Sequence, residues 1–477
     1  MSNYLGATQE SIEKTLASVK DETQLSKAID TGTGLVGYNL EAPSRQLQPF
    51  LSPLRNIIPR KVSPTGTSTH WKAITSIVPQ GKATALEGTR GTSMNYTVED
   101  KMAAFKVLGL QDSVTFEAEA AGRNFQDVKA TASTNLLLSL MQEEERYILG
   151  GNHTSLGTVS APTATADTTG GSIAAGTYAV KVAAMTLVAA NRVVANQQIA
   201  GLVLGVPATD SMGQAISGAI DGVTAASTAT SVTTTGTTSM LKLSVAPVTG
   251  ALAYAWFVDD VLQIVSTNSY VELTKLVTGG SAAPTADGSG DANAFDGIIP
   301  QIIAGGGIYM DMANSQLTAS QGGIEELDEI NSRLFNQFKN GATRYLVSEQ
   351  LAKDITSAIV KNNGAPTLFV NNGEKNDITG NYMVKRYVNK SYGGQNISIE
   401  VHPWLPNGTM VVMCDRVPYP NANIGSVLEI ECGYDYRQLE YARTSPKYEF
   451  EIRTYEALKH YFPACQAILT NVKAGIA

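Results

Sequence analysis

The sequence predicts an α+β protein into which a separate all-β domain has been inserted. Three observations carry this expectation. Residues 124–149 form one long amphipathic helical pattern that stops at Gly150-Gly151. The stretch 60–100 holds two strand-length alternating runs without a compact apolar face. From about His153 to Phe295 the chain turns to Thr, Ala, Ser and Gly, with four basic residues, Lys181, Arg192, Lys242 and Lys275. After Phe295 a charged helix-and-strand pattern resumes.

Residues 1–59 read as an arm. Ile12, Leu16, Val19 and Leu25 fall at helical spacing within 8–29, and Gly32, Gly34 and Gly37 end that pattern. Pro43, Pro49, Pro53, Pro59 and Pro64 keep 43–64 extended, because proline fixes φ and donates no hydrogen bond. Residues 60–100 read as a projecting loop, His70–Pro79 running out and Ser93–Glu99 returning. A lone two-stranded ribbon is at best marginally stable, so it requires a partner surface.

Residues 101–120 continue as a strand through Phe105, Val107, Leu108, Val114 and Phe116. Asn124 suits a helix N-cap, with Asp127 three residues later. Phe125, Val128, Ala132, Leu136, Leu140 and Tyr147 make the apolar stripe of the helix that follows. It spans roughly 37 Å at 1.5 Å per residue and completes the unit 101–152.

Within 153–295 the strand signals are 177–188, 192–203, 241–245, 253–258, 261–266 and 269–273. Asp259-Asp260 marks a tight turn, no helix is needed, and 205–238 reads as loop. Tyr178, Tyr254, Trp256, Phe257 and Tyr270 supply the core that a disordered linker lacks. The expectation is a sandwich of the immunoglobulin or fibronectin type. Beyond 296 the pattern gives helices at 323–339 and 349–361. It gives strands at 344–348, 382–388, 397–402, 410–414 and 448–458, and a closing segment at 466–472.

Bulk properties narrow the function. At 477 residues two to four domains are expected. Charged residues are 16% of the chain, net charge is −8 and the pI is near 5.2, which is not the basic footprint of a nucleic-acid reader. The three cysteines, Cys414, Cys432 and Cys465, are widely spaced and odd in number, arguing against a disulfide framework. The N-terminus lacks a basic start and an apolar core of the secretory kind, and no run reaches a membrane-spanning length.

Catalytic signals are weak. Gly32-x-Gly34-x-x-Gly37 matches a dinucleotide fingerprint by letter, but a helical pattern precedes it and none follows. Ser11-x-x-Lys14 sits on a terminal helix pattern and reads as chance. His70, His153, His402 and His460 lie far from one another and from cysteine, so no zinc site is expected. His402 reads as a structural turn residue. Glu143, Glu144 and Glu145 read as a solvated or subunit-facing charge run, since consecutive helical residues point apart. No enzymatic role, cofactor or metal is expected.

The order of elements is the specific signal: arm, long loop, strand, long helix, mixed region, long closing strands. It resembles the major capsid protein of tailed bacteriophages, whose HK97-like fold has an N-arm, an E-loop, a P-domain with a spine helix, and an A-domain. The segment 113–120 (SVTFEAEA) resembles the lead into the spine helix. The segments 399–409 (IEVHPWLPNGT) and 448–461 resemble the closing strands. The resemblance covers all but 153–295. It assigns 1–59 to the N-arm, 60–100 to the E-loop, 101–152 to P-domain strand and spine helix, and 296–477 to the A-domain and returning P-domain strands.

It further implies intersubunit contacts through His70, Trp71, Lys72, Lys82, Arg90 and Tyr96 of the E-loop. Phe125, Val128, Leu136, Leu140 and Tyr147 become spine-helix residues. The implied partners are copies of the chain itself in hexamers and pentamers, a separate scaffolding protein, a portal, a decoration protein, and packaged DNA bound without sequence specificity. No membrane is involved. The expected place is the virion, after assembly in the host cytoplasm. Lys72 and Lys82 find no identified acceptor, so no covalent crosslink is expected. An encapsulin shell and an extracellular adhesin are the alternatives weighed.

Overall fold

The computed structural model of the chain describes residues 44, 47, 50–62, 66–123, 125–205, 222–320, 323–362, 383–417, 419 and 423–475. The helical pattern at 8–29, the glycine run after it and Asn124 lie outside these residues.

The amino-terminal region departs from a purely extended arm. Pro53–Ile57 is a short helix, α1, with proline in its first turn, where the missing N–H costs nothing. Strand β1 (Arg60–Val62) follows. Then β2 (Ser68–Pro79) and β3 (Met94–Ala104) pair antiparallel from Ser68 opposite Ala104 to Pro79 opposite Met94. β4 covers Lys106–Thr115. Phe116, expected within a strand, instead opens helix α2 (Phe116–Gly122). The Thr115 hydroxyl accepts the Ala118 amide at 3.2 Å, and Glu117 and Glu119 occupy the first turn, where acidic side chains favour a helix.

Helix α3 runs Val128–Gly150, about 34 Å. Its cap is Asp127, whose Oδ1 accepts the Ala130 amide at 2.9 Å. Phe125 therefore sits in a turn ahead of the helix, off the stripe assigned to it.

The inserted region contains β5 (Thr163–Asp167), β6 (Gly176–Met185), a four-residue helix α4 (Leu187–Ala190), β7 (Thr230–Thr234), β8 (Met240–Ser244), β9 (Ala253–Val258), β10 (Val261–Ser266) and β11 (Tyr270–Leu273). One sheet has the order β10-β9-β6-β7 and the other β11-β8-β5. Val180, Val182 and Trp256 from the first share a core with Leu241, Leu243 and Leu273 from the second. Asp259 and Asp260 both have positive φ, 49° and 62°, the backbone of a two-residue hairpin turn.

The strand expected at 192–203 does not form. Asn196 (φ 61°) and Gly201 (φ 73°) bend the segment. Leu202 and Leu204 cover Ala253, Ala255 and Phe257 in a second core on the outer face of the first sheet. β9 is thus buried on both faces.

The carboxy-terminal half carries α5 (Ile298–Ala304), β12 (Ile308–Asp311), β13 (Ala319–Ser320), β14 (Gly323–Ile324), α6 (Glu325–Phe338), β15 (Arg344–Val347), α7 (Glu349–Asn362), β16 (Arg386–Asn389), β17 (Gln395–Val401), β18 (Met410–Met413), β19 (Leu428–Glu440), β20 (Lys447–His460) and β21 (Ala467–Thr470). Six strands form one mixed sheet in the order β12-β21-β18-β15-β17-β16. Leu327, Ile330 and Leu334 of α6 and Leu351 and Ile355 of α7 pack with Tyr345 and Val347 of that sheet, as their helical spacing requires. A second sheet, β1-β19-β20-β4, brings residues 60–62 beside 430–432, with β1 parallel to β19.

Candidate functional site

Two linked features stand out: the β2–β3 hairpin and the buried ionic network at its root. In a paired ribbon, residues directly opposite share a face. The register puts Ile74 with Val98 and Ile77 with Tyr96 on one face, which Met94 shares by alternation along β3, and Lys72 with Asp100 nearer the root. A bulge at Thr75 lets Ile74 and Ile77, three residues apart, point the same way. Ile74, Ile77, Met94, Tyr96 and Val98 are between 46% and 64% exposed. All but one residue of β3 is exposed. Among the described residues nothing covers this contiguous apolar face.

The root of the hairpin is clamped. The Thr69 hydroxyl donates to Glu431 at 2.6 Å, and Glu431 also pairs with Lys459. Phe105 packs on Tyr455. Trp71 meets Tyr461 edge-on at 5.6 Å, with the Lys459 ammonium over its ring. Trp71, assigned to an intersubunit contact, is therefore engaged within its own chain. Lys72, Lys82, Arg90 and Tyr96 are exposed on the hairpin, and His70 stands 3.7 Å from Asp100.

The network lies behind the clamp. Glu144 and Glu145 are fully buried, so the solvated reading of that run is overturned for both. Glu143 pairs with Arg146 in a half-buried position. The Glu145 carboxylate accepts the Leu54 and Arg55 amides of α1 at 2.9 and 2.7 Å, capping that helix's positive end. It also meets His402 Nε2 at 2.8 Å. Glu144 takes Arg55 Nε at 3.3 Å, and is bonded by Arg60 and the Tyr436 hydroxyl. Arg60 reaches Glu456 at 2.9 Å and Asp435 at 2.8 Å, and both guanidinium groups lie over the Tyr436 ring.

Burial, reinforced by the charge of Glu144, pushes the Glu456 carboxyl up to about 8, with Arg60 opposing. Burial raises Glu144 as well. His402 and Glu145 have the elements of an acid–base pair. Their side chains are 1% and 0% exposed, and Glu145 already holds two amides. The arrangement leaves no room for a substrate and acts as a joint between α1, α3 and the turn after β17. Leu136 and Leu140 are buried on the same helix, and Tyr147 and Val128 are half-buried.

The pairing was missed because an acidic triplet reads as surface. The signal was available: Leu136, Leu140 and Ile148 recur at intervals of four, and that interval passes through Glu144. Among the described residues no group of three or more His, Cys, Asp or Glu could hold a metal ion, and no helix is long and apolar enough to cross a membrane.

The inserted region joins the same joint. The Gly297 amide donates to the Gly151 carbonyl at 2.8 Å, so entry and exit chains run side by side. A Cβ on Gly297 would stand 2.6 Å from the Tyr147 carbonyl, which excludes any side chain there. Asn191 Nδ2 donates to the Trp404 carbonyl at 3.0 Å, and Asn471 exchanges two bonds with Ser269 at 2.7 and 2.8 Å.

No protein-family model matches the sequence, and no curated protein matches it. Among solved structures, the chain is similar to the capsid asymmetric unit of cyanophage A-1(L), at 10% identity, covering 94% of this chain and 99% of that one, with a TM-score of 0.44. It is similar to the capsid of a native GTA particle at 9% identity, covering 93% and 98%, TM-score 0.42. It is also similar to the holo-SrpI encapsulin complex from Synechococcus elongatus PCC 7942 at 7% identity, covering 93% and 94%, TM-score 0.40.

Proposed function

We propose that this chain is a shell subunit, the major capsid protein of a tailed bacteriophage, whose copies close into an icosahedral container around double-stranded DNA. The observation that carries the reading is the hairpin. It projects a long apolar face, among the described residues is clamped only at its root, and cannot hold its shape alone. Such a face is completed by another copy, and heterologous contacts of that kind close into a shell when the symmetry permits. Long elements reaching onto neighbours bury area that a compact subunit cannot.

In this reading residues 1–59 are the N-arm, 60–100 the E-loop, 101–152 the P-domain strand and spine helix, and 296–477 the A-domain with the returning strands. The region 153–295 is an immunoglobulin-like domain facing outward. Partners are further copies in hexamers and pentamers, a scaffolding protein, a portal and a decoration protein. The buried network sets the hairpin's angle and performs no chemistry, so the chain is not an enzyme.

The test is deletion of residues 66–92. The variant is expected to stay soluble as subunits and to form no closed shells by negative-stain microscopy. Normal shells from that variant sink the proposal. Particles of the intact chain that enclose protein cargo and no DNA move the reading to an encapsulin-type compartment.

A further inference from the structure

Cys414 and Cys465 are far apart in sequence and adjacent in the fold. β18 and β21 pair antiparallel, with Val412 opposite Ala467. Beyond that pair the ladder stops: Cys414 follows the last residue of β18, and Cys465 closes a 3-10 turn, Pro463–Cys465, that leads into β21. The backbone does not bond across this gap. The Gln466 side chain takes over, accepting the Cys414 amide at 2.9 Å and donating to its carbonyl at 3.1 Å. Both thiols are free and buried, and they lie within hydrogen-bonding reach of one another.

We propose that Cys414 and Cys465 form a latent redox site, a pair of adjoining thiols that a small peroxide converts to a disulfide, fastening the chain just after β18 to the turn that leads into β21. The two thiols are not equivalent. Asn340 Nδ2 donates to Cys465 Sγ at 3.2 Å. The Cys414 thiol, together with Asn340, pulls the Cys465 thiol below its ordinary value, against burial. The same contact and burial push Cys414 well above its own. Cys465 is therefore the thiolate that attacks, since the thiolate is the nucleophile.

It attacks one peroxide oxygen, the O–O bond breaks, hydroxide leaves, and Cys465 becomes a sulfenic acid. Cys414 gives up its proton, attacks that sulfur and displaces the hydroxyl as water. In sum, two thiols and one hydrogen peroxide give one disulfide and two waters. Cys432 has no such partner. Its sulfur lies against Arg60 at 3.4 Å, and burial pushes its thiol up to about 12.

The experiment uses the full chain and does not depend on the shell reading. The folded protein is treated with dilute hydrogen peroxide, quenched, denatured and titrated for thiols. The expected result is a fall from three reactive thiols to one, a tryptic map linking Cys414 to Cys465, and a rise in Tm that dithiothreitol reverses. C414S and C465S each lose the link. If either fails to fold, the wild-type map still decides. Three thiols remaining overturn the proposal. So does Cys465 advanced to sulfinic acid with Cys414 still open to alkylation.

Discussion

His460 is fully buried on β20, and among the described residues neither ring nitrogen finds a hydrogen-bond partner. Burial lowers its pKa from 6.5 to about 3. Between those values the unfolded chain takes up a proton that the folded chain refuses. Stability is then complete above pH 6.5 and falls by up to about 1.4 kcal/mol per pH unit as the pH drops toward 3. His460→Met is expected to flatten that acid limb, read from urea midpoints at pH 7 and 4.5, and parallel curves refute the assignment. Glu456 works with the opposite sign. Its folded value near 8 lies above the ordinary 4.5, so its contribution is largest below pH 4.5 and is lost as pH rises through 8. Glu456→Gln should match the wild type at pH 4 and unfold at higher urea at pH 9; a lower midpoint at pH 9 shows that Arg60 needs the charge. Single letters could not reveal either group. Glu144, Glu145 and Glu456 are burial events decided by partners such as Arg55, Arg60 and His402 drawn from distant parts of the chain, and His460 is one decided by packing.

Elements were more legible, where their period was carried by large side chains. The hairpin, α3, α6, α7 and the short strands β15 and β18 lie where alternation or helical spacing put them. β5 and β7 were missed because Thr and Ala blur the contrast between faces, and 192–203 misled because apolar residues alternate there while Asn196 and Gly201 bend the backbone. α1 was hidden by reading Pro53 as a breaker, although proline opens helices well. Leu140 on α3 is 1% exposed, so Leu140→Ala is expected to cost on the order of 2–5 kcal/mol, and a loss under about 0.5 kcal/mol in urea unfolding refutes that packing. Replacing Ile77, which is 61% exposed, with lysine puts a charge in the middle of the hairpin's apolar face at little cost to the isolated subunit. The subunit should melt as before, while shell yield by negative stain collapses. Undiminished yield shows that the apolar face is not the docking surface.

At the scale of the molecule, the sequence marked the inserted region by composition but not how firmly it is held. Its ends meet at the Gly151–Gly297 bond, so a brief Gly/Ser linker in place of 152–296 can close the gap. The replaced subunit is expected to form shells of unchanged diameter without outer knobs, at a stability cost of about 1–3 kcal/mol for each buried group left without its partner, Asn471 and the Trp404 carbonyl among them. Cryo-electron microscopy decides; tubes or fragments show that the region belongs to the lattice. The clamp at the hairpin's root carries a consequence in time. Arg60 bonds Glu456 across 396 positions of sequence, and Thr69 bonds Glu431 across 362. A chain still emerging from the ribosome has already made residues 60–104 but not the strands that aim them. Since domains fold during synthesis from the N-terminal side, in the proposed shell the hairpin takes its working orientation only after residues 431–456 have been made, and chains that stop short of them are kept from joining a growing lattice.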